Sequence, residues 1–129
     1  MAIRPPLVVW LRVEGLVVFA LASAYYWFVG GSWTLFAVLF FAPDLSFLGY
    51  LSGARIGAIV YNLAHTYSTP AMLGLAARFA AAGADDSRVG TVAWALAVIW
   101  VAHIGFDRML GYGLKYDRFG ATHLGHLGR

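Results

Sequence analysis

His103 and Asp107 stand four residues apart, directly after the apolar run VGTVAWALAVIWVA. On a helix, that spacing places both side chains on one face, one turn apart. Imidazole and carboxylate groups bind zinc, iron, manganese and nickel, and two histidines with one carboxylate form a common catalytic set that leaves a coordination position open. With His65 as the third ligand, these residues predict a site for a divalent transition metal, zinc or iron.

Other polar side chains interrupt the apolar sequence elsewhere in the chain. Asp44 and Glu14 are candidate catalytic groups, because either carboxylate could activate water or move a proton. Either one could instead be a further metal ligand or orient a ligand histidine. Arginine can hold an anionic substrate, and polar residues one turn before His65 would face the same site. The candidate substrate-binding residues are therefore Arg12, Tyr61, Asn62 and Arg108.

The composition indicates that these residues belong to a membrane protein. The chain has 129 residues, enough for one domain, of which 61% are hydrophobic and 12% charged. Its mean hydropathy is +0.73, whereas about a quarter of the residues of a typical soluble domain are charged. The absence of cysteine excludes disulfides and thiolate metal ligands. The basic residues behind the net charge of +3 are scattered, so nucleic acid is not an expected partner.

A spanning helix needs about 20 predominantly apolar residues, and the sequence predicts four such helices. They cover residues 6–29, 33–51, 55–82 and 87–112, and a tail follows over 113–129. The first is expected to be a retained helix rather than a cleaved signal, because Arg12 and Glu14 interrupt its apolar core. Short connections predict an all-α integral membrane protein, a four-helix up-down-up-down bundle that forms a single transmembrane domain over 1–129.

The distribution of basic residues predicts the orientation of this bundle. Two of them, Arg78 and Arg88, lie on one side. Five lie on the side of the termini: Arg4, Arg55, Lys115, Arg118 and Arg129. Because cytoplasmic loops are enriched in Lys and Arg, both termini are expected in the cytoplasm.

The polar residues of all four predicted helices fall at one depth. At about 1.5 Å per residue from the cytoplasmic ends, Glu14 and Asp44 lie roughly 12 Å deep, His65 roughly 15 Å and His103 roughly 13 Å. Helix-breaking prolines immediately precede Asp44 and closely follow His65. Broken backbone at membrane depth is tolerated where it is buried in protein or lines a cavity. We therefore expect one shared polar pocket in the cytoplasmic half of the bilayer.

Two other interpretations of the polar residues stay open. The negative charges of the carboxylates and the positive charges of the arginines nearly balance. Together with the neutral histidines and asparagine, these groups could form a structural network that holds the helices together. They could also form a proton or charge network in a non-enzymatic transporter component or small-ligand binder. The outer half of each predicted helix is almost entirely apolar, which favours an enzyme or a binder over a complete transport path.

The segments LRVEG, APDLSFLGYLSG, GAIVYNLAHTYSTP and HIGFDRMLGYGLKYDRFGATHLG together resemble a bacterial membrane family described as domain of unknown function 4260. The likeness covers nearly the whole chain. It implies a small four-helix protein of the bacterial inner (plasma) membrane and supplies no activity. It also implies that the following residues are motif positions of the family: Glu14, Asp44, Asn62, His65, His103, Asp107 and Arg108.

A more distant likeness concerns the activity. PDLSFLGYL and the later THLG are similar to the Asp and His signatures of small membrane metal-dependent hydrolases, which carry more histidines within the membrane than this chain does. With the expected metal site, this favours a metal-dependent enzyme acting on a lipid-like or small amphipathic substrate. The expected partners are membrane lipids and, because small residues on every helix permit close packing, a second copy of the chain in a homodimer.

Overall fold

The computed structural model describes residues 5–82, 88–116, 121, 122 and 124–126. In that part of the chain the α-helices are α1 (Pro5–Phe28), α2 (Trp33–Leu39), α3 (Ala54–Ala64), α4 (Ser68–Ala81) and α5 (Arg88–Leu110). A 3₁₀ helix, Ala42–Ser52, lies between α2 and α3, and the two-residue strands β1 (Ala121–Thr122) and β2 (Gly125–His126) pair antiparallel. All the regular structure in these described residues is thus helical apart from this small hairpin. Three basic residues used in the sequence analysis, Arg4, Arg118 and Arg129, lie outside the described residues, as does His123, the histidine of the THLG segment.

α1 and α5 each end at a glycine. Gly30 (φ 75°) and Gly111 (φ 92°) adopt the left-handed backbone that favours this residue. After α5, the N–H of Tyr112 donates to the carbonyl of Asp107 at 2.8 Å, and the N–H of Gly111 donates to that of Arg108 at 3.0 Å. This pair of hydrogen bonds closes a helix C-terminus. α5 therefore stops within one turn of Asp107.

The second predicted crossing, 33–51, differs from a single α-helix. α2 begins at a cap in which the hydroxyl of Ser32 accepts a hydrogen bond from the N–H of Leu35 at 3.2 Å. Pro43 has no N–H to continue the α-helical bonding, and the chain changes to the 3₁₀ helix there. Runs of 3₁₀ helix longer than three or four residues are uncommon and often mark functional segments. This one is 11 residues long and carries Asp44.

The predicted helix over 55–82 is two helices, α3 and α4, separated by residues 65–67. Pro70, in the first turn of α4, has no N–H with which to continue the hydrogen bonding of α3. The hydroxyl of Thr69 donates to the carbonyl of Leu63, which the break leaves without its helical donor. His65 occupies the break with φ −114° and ψ 14°. The break therefore gives His65 a non-helical backbone conformation within the predicted helix over 55–82.

α5 is the helix against which α1, α4 and α2 pack, while the 3₁₀ helix packs mainly against α3. The α1–α5 crossing depends on two glycines. A Cβ atom on Gly15 would lie 2.7 Å from the carbonyl oxygen of Gly105, and a Cβ atom on Gly105 would lie 2.9 Å from that of Gly15. Buried side chains from three helices form the core: Tyr26, Phe40, Ile99 and Ala102. These contacts fix the rotation of α5 and therefore the direction in which its polar residues point.

Three segments of the described chain are long and apolar enough to cross a membrane: Pro6–Phe28, Trp33–Ser52 and Thr91–Leu110. Only 6% of the apolar window is buried inside the protein in each of the first two, so most of their apolar side chains face outward. A water-soluble monomer rarely exposes so large an apolar surface, whereas lipid accommodates it. The α3–α4 segment is not among these candidates, so the four-helix up-down-up-down bundle stays a prediction.

Candidate metal centre

Four side chains of metal-ligand type meet where the 3₁₀ helix, the α3–α4 break and α5 come together. Asp44 lies in the first turn of the 3₁₀ helix and His65 lies in the break. His103 and Asp107 lie one turn apart on α5. Each of the four offers a ligand atom, and these atoms all lie within 4.8 Å of one another. α5 therefore supplies two of the four ligands, and the 3₁₀ helix and the α3–α4 break supply one each.

The two histidine Nε2 atoms and two carboxylate oxygens form a compact tetrahedron. Nε2 of His65 lies 3.3 Å from Oδ1 of Asp44 and 3.4 Å from Oδ2 of Asp107. Nε2 of His103 lies 3.3 Å and 3.5 Å from the same oxygens, and the two Nε2 atoms lie 3.2 Å apart. Two donors that bind one tetrahedral zinc ion at about 2.0–2.1 Å lie about 3.3–3.4 Å apart. Five of the six distances in this group are close to that value, and all four ligand atoms lie within 4.8 Å of one another.

These distances fit a ligand set better than a set of ion pairs. Charge-assisted N–H···O bonds between a cation and a carboxylate are about 2.7–2.9 Å long. All four histidine–carboxylate distances are 3.3–3.5 Å, and each Nε2 atom is almost equally far from two oxygens. Two carboxylates and a divalent cation are also neutral in total, which lowers the cost of burying charge. Geometry and charge therefore both suit a divalent metal.

The main chain and a neighbouring ring orient His65. Its Nδ1 lies 2.9 Å from the carbonyl oxygen of Tyr61, one turn earlier on α3. Because a carbonyl oxygen only accepts, Nδ1 carries the proton and the lone pair is left on Nε2, which points into the cluster. The Tyr61 and His65 rings stack, with centroids 3.8 Å apart and an interplanar angle of 10°. The hydrogen bond holds the imidazole in the tautomer that binds metals through Nε2, and the stack holds the plane of the ring.

His103 is held by packing. Its side chain is 1% exposed, and the ring of Phe40 meets it edge-on with centroids 5.3 Å apart. Its Nδ1 atom has no hydrogen-bond partner among the described residues. No hydrogen bond at Nδ1 therefore fixes the tautomer of His103 among the described residues, in contrast to that of His65.

The cluster is open on one side. The side chains of His65 and His103 are 0% and 1% exposed, and that of Asp107 is 12% exposed. The side chain of Asp44 is 36% exposed. A ligand from outside would therefore reach the cluster past Asp44, while the other three side chains form its closed wall.

Arg108 ties the α3–α4 break to the end of α5. Its Nη2 atom donates to the carbonyl of His65 and its Nη1 atom donates to the carbonyl of Tyr112, both at 2.8 Å. The residue is 8% exposed. A guanidinium that bonds two otherwise unmatched carbonyls fixes the position of the His65 backbone relative to the helix that carries the other histidine.

Asn62 ties the segment after α5 to α3. Its side-chain amide donates to the carbonyl of Lys115 and its side-chain oxygen accepts from the N–H of Lys115, both at 2.7 Å. The Lys115 Nζ atom consequently lies 4.7 Å from the centroid of the Tyr61 ring. Burial lowers the pKa of the Lys115 ammonium, and the negative charge of Asp107 acts in the opposite direction. Lys115, Tyr61 and His65 therefore form a stack that leads from the chain after α5 to the cluster.

The structure brings the three predicted metal ligands, His65, His103 and Asp107, to one point, and it adds Asp44 to them. Glu14, the other predicted catalytic residue, is exposed on α1. It lines a separate cavity of about 490 Å³ with Tyr67 and Arg108. The two candidate catalytic carboxylates therefore lie in different surroundings.

The predicted substrate-binding residues mostly bond to the main chain. Arg12 donates through Nε to the carbonyl of Met109 at 2.9 Å, near the end of α5. Arg108 and Asn62 bond to backbone groups as described above, and Tyr61 supports His65. The sequence analysis did not identify Phe40, which packs against His103, or the contact of Lys115 with Tyr61. The only signal in the sequence was proximity, since Lys115 follows Asp107 by eight residues.

Fold and site together define a small helical protein with membrane-length segments and a buried two-histidine, two-aspartate cluster that could hold a metal ion. A family model described as Domain of unknown function (DUF4260) matches residues 8–127, and the chain belongs to this family. Comparison with curated proteins and with solved structures gave no match.

Proposed function

We propose that this protein is a metal-dependent membrane enzyme acting on a lipid-like or small amphipathic substrate. The observation that carries the proposal is the tetrahedron of Nε2 and carboxylate oxygen atoms, five of whose edges are 3.2–3.5 Å long. His65, His103 and Asp107 would hold the ion, and the carboxylate of Asp44 would lie beside the fourth coordination position, which catalysis requires to be open. Nitrogen and oxygen donors of this kind suit zinc or iron.

Asp44 is the residue to which we assign a proton-transfer role. Its side chain is 36% exposed, so it is the member of the cluster that a substrate meets first. A bound divalent ion would supply Lewis acidity towards a carbonyl or phosphoryl oxygen. The carboxylate of Asp44 could accept a proton at the open side of the cluster. Glu14 stays a candidate for proton exchange with the surface, because it lines a different cavity.

The proposal includes a membrane topology. α3 and α4 together would complete a fourth crossing, which gives the up-down-up-down bundle in the bacterial inner membrane with both termini in the cytoplasm. Three membrane-length segments support it, as does the burial of His65 in the α3–α4 break, since broken backbone needs such shielding at membrane depth. Membrane lipids are the expected partners, with a homodimer as the expected assembly and no role for nucleic acid.

A second candidate is a proton or charge network in a non-enzymatic transporter component or ligand binder. The observation that favours it is the Nδ1 atom of His103, which is buried without a hydrogen-bond partner among the described residues. An imidazole with one ring nitrogen that lacks a partner can take up or release a proton at that atom with little rearrangement. This candidate predicts pH-dependent ligand binding or flux and no stoichiometric metal.

Elemental analysis of the full chain separates the two candidates. The protein is purified in detergent without a metal-affinity tag, in parallel with His103→Ala and with Glu14→Gln as the matched control outside the cluster. We expect about one zinc or iron per chain in the unmodified protein and in Glu14→Gln, and less than about 0.1 in His103→Ala.

The circular dichroism spectrum and the elution volume of each variant show whether it is folded. Full metal content in a folded His103→Ala protein would overturn the ligand assignment. Absence of metal from all three proteins, including after incubation with zinc or iron, would overturn the metal-dependent function and favour the proton network.

A further inference from the structure

A cavity of about 230 Å³ lies between the same segments that carry the candidate metal ligands. Its lining residues stand next to the ligands in sequence. Pro43 directly precedes Asp44, and Ala64 directly precedes His65. The complete lining is Ala42, Pro43, Ser46, Ala64, Leu96 and Trp100. The cavity therefore shares its three walls, the 3₁₀ helix, the end of α3 and α5, with the cluster.

The helical spacing shows in which direction the cavity extends. On the 3₁₀ helix, residues three apart lie one above the other, so Pro43 and Ser46 present one common face. On α5, Trp100 and Leu96 stand three and seven residues before His103, and thus on its face. Seven helical residues span about 10 Å. Trp100 and Leu96 therefore place the cavity, over about that length, on the side of His103 that faces the N-terminal end of α5.

The lining offers hydrocarbon contacts and one unsatisfied hydroxyl. The indole Nε1 of Trp100 already donates to the carbonyl of Ala64 at 2.6 Å. The Oγ atom of Ser46 is buried and has no hydrogen-bond partner among the described residues. A buried hydroxyl without a partner is unfavourable, and an oxygen atom of a ligand would satisfy it. The cavity thus suits a molecule with an apolar body and an oxygen-bearing head.

We infer that this cavity binds the tail of a straight-chain acyl compound whose oxygen-bearing head lies at the cluster and accepts a hydrogen bond from Ser46. The inference rests on the proposed metal site and adds the substrate class to it. One water-sized group takes about 30 Å³, so a cavity of about 230 Å³ accommodates about eight carbon-sized groups. The preferred substrate is therefore a medium-length acyl compound.

Straight-chain hydroxamates test this assignment, because they combine a metal-binding oxygen head with a tail of chosen length. The full chain is loaded with cobalt(II) in detergent and titrated with the series from acetohydroxamate to dodecanohydroxamate. The cobalt absorption spectrum reports binding. We expect the affinity to rise about fourfold per added methylene and to level off at about eight carbons.

Variants separate the cavity from partitioning of the tails into detergent. Leu96→Phe narrows the cavity and should move the plateau to chains shorter by about one carbon. The matched control is Val92→Phe, one turn earlier on α5, where the side chain is 58% exposed and does not line the cavity. Ala42→Leu narrows the cavity from the 3₁₀ helix if Leu96→Phe fails to fold. Ser46→Ala should weaken every hydroxamate by about 2- to 10-fold with cobalt content unchanged.

Cobalt content distinguishes a failure of this inference from a failure of the metal site. If cobalt binds and the length dependence of the narrowed variants equals that of the unmodified protein, the cavity is not the tail site and the metal site stands. If cobalt does not bind to the folded protein, the proposed metal site is wrong and the inference is overturned with it.

Discussion

The ring of Tyr61 lies flat against the ring of His65, with centroids 3.8 Å apart and planes 10° from parallel. The carbonyl of the same tyrosine accepts the Nδ1 proton of that histidine at 2.9 Å. One residue thus fixes both the plane and the tautomer of this imidazole. Groups that orient a metal ligand in this way contribute to affinity without touching the ion.

The first prediction concerns this stack. Tyr61→Leu removes the aromatic face but keeps the carbonyl, so the imidazole retains its tautomer and loses its fixed plane. We expect zinc affinity to fall by about 10- to 100-fold. Tyr61→Phe keeps the ring and is the matched control, with an expected change below about threefold. Competition with a chromophoric chelator measures both affinities, and equal losses in the two variants would contradict a role for stacking.

The second prediction concerns the connection between Asn62 and Lys115. Asn62→Ala removes both 2.7 Å hydrogen bonds to the Lys115 backbone. Because the segment after α5 is then released from α3, we expect a loss of about 1–3 kcal/mol in the free energy of unfolding. Asn62→Asp keeps the acceptor for the Lys115 N–H and should lose less. Unfolding in mixed micelles gives the comparison, and an unchanged Asn62→Ala would show that other contacts hold the segment.

The third prediction concerns the α1–α5 crossing. A Cβ atom on Gly105 would lie 2.7 Å from the backbone nitrogen of Phe19, closer than packed atoms approach. Gly105→Val should therefore separate the helices and lower the free energy of unfolding by at least about 1–3 kcal/mol. Ala80→Val, at an exposed position on α4, adds the same bulk without a close neighbour helix and should be nearly neutral. Equal stability of the two variants, measured by unfolding in mixed micelles, would contradict the close crossing.

Much of the site follows from the sequence, because the pattern of residue types constrains it. The i, i+4 spacing of His103 and Asp107 indicates a shared face, and an apolar run before them indicates a membrane-length helix. Prolines beside Asp44 and His65 indicate that the backbone is irregular where these residues lie. All four residues do meet in the structure.

The contacts that support the site could not be predicted, because they depend on where the helices end, and hydrophobic periodicity does not specify that. A carbonyl becomes a hydrogen-bond acceptor for a side chain only when its own helix stops, so the contacts of Arg12 and Arg108 with Met109 and His65 could not be read from spacing. Pro43 indicates where the α-helical bonding of α2 stops, but that a 3₁₀ helix packed against α3 follows it could not be predicted from periodicity. The position of Lys115 depends on the path of the chain beyond Gly111, which is set by one left-handed residue.

The last prediction concerns pH, because protons compete with the metal for His65 and His103. Both imidazoles must be neutral to coordinate through Nε2, so metal binding releases any proton they carry. In acid, each of the two histidines contributes up to about a tenfold loss of zinc affinity per pH unit, and together they contribute up to about a hundredfold. His103→Ala, if it retains residual binding, should show at most half of that slope on a logarithmic scale. Chelator competition across a pH series measures the slope, and zinc affinity that is independent of pH in acid would show that the histidines are not the ligands.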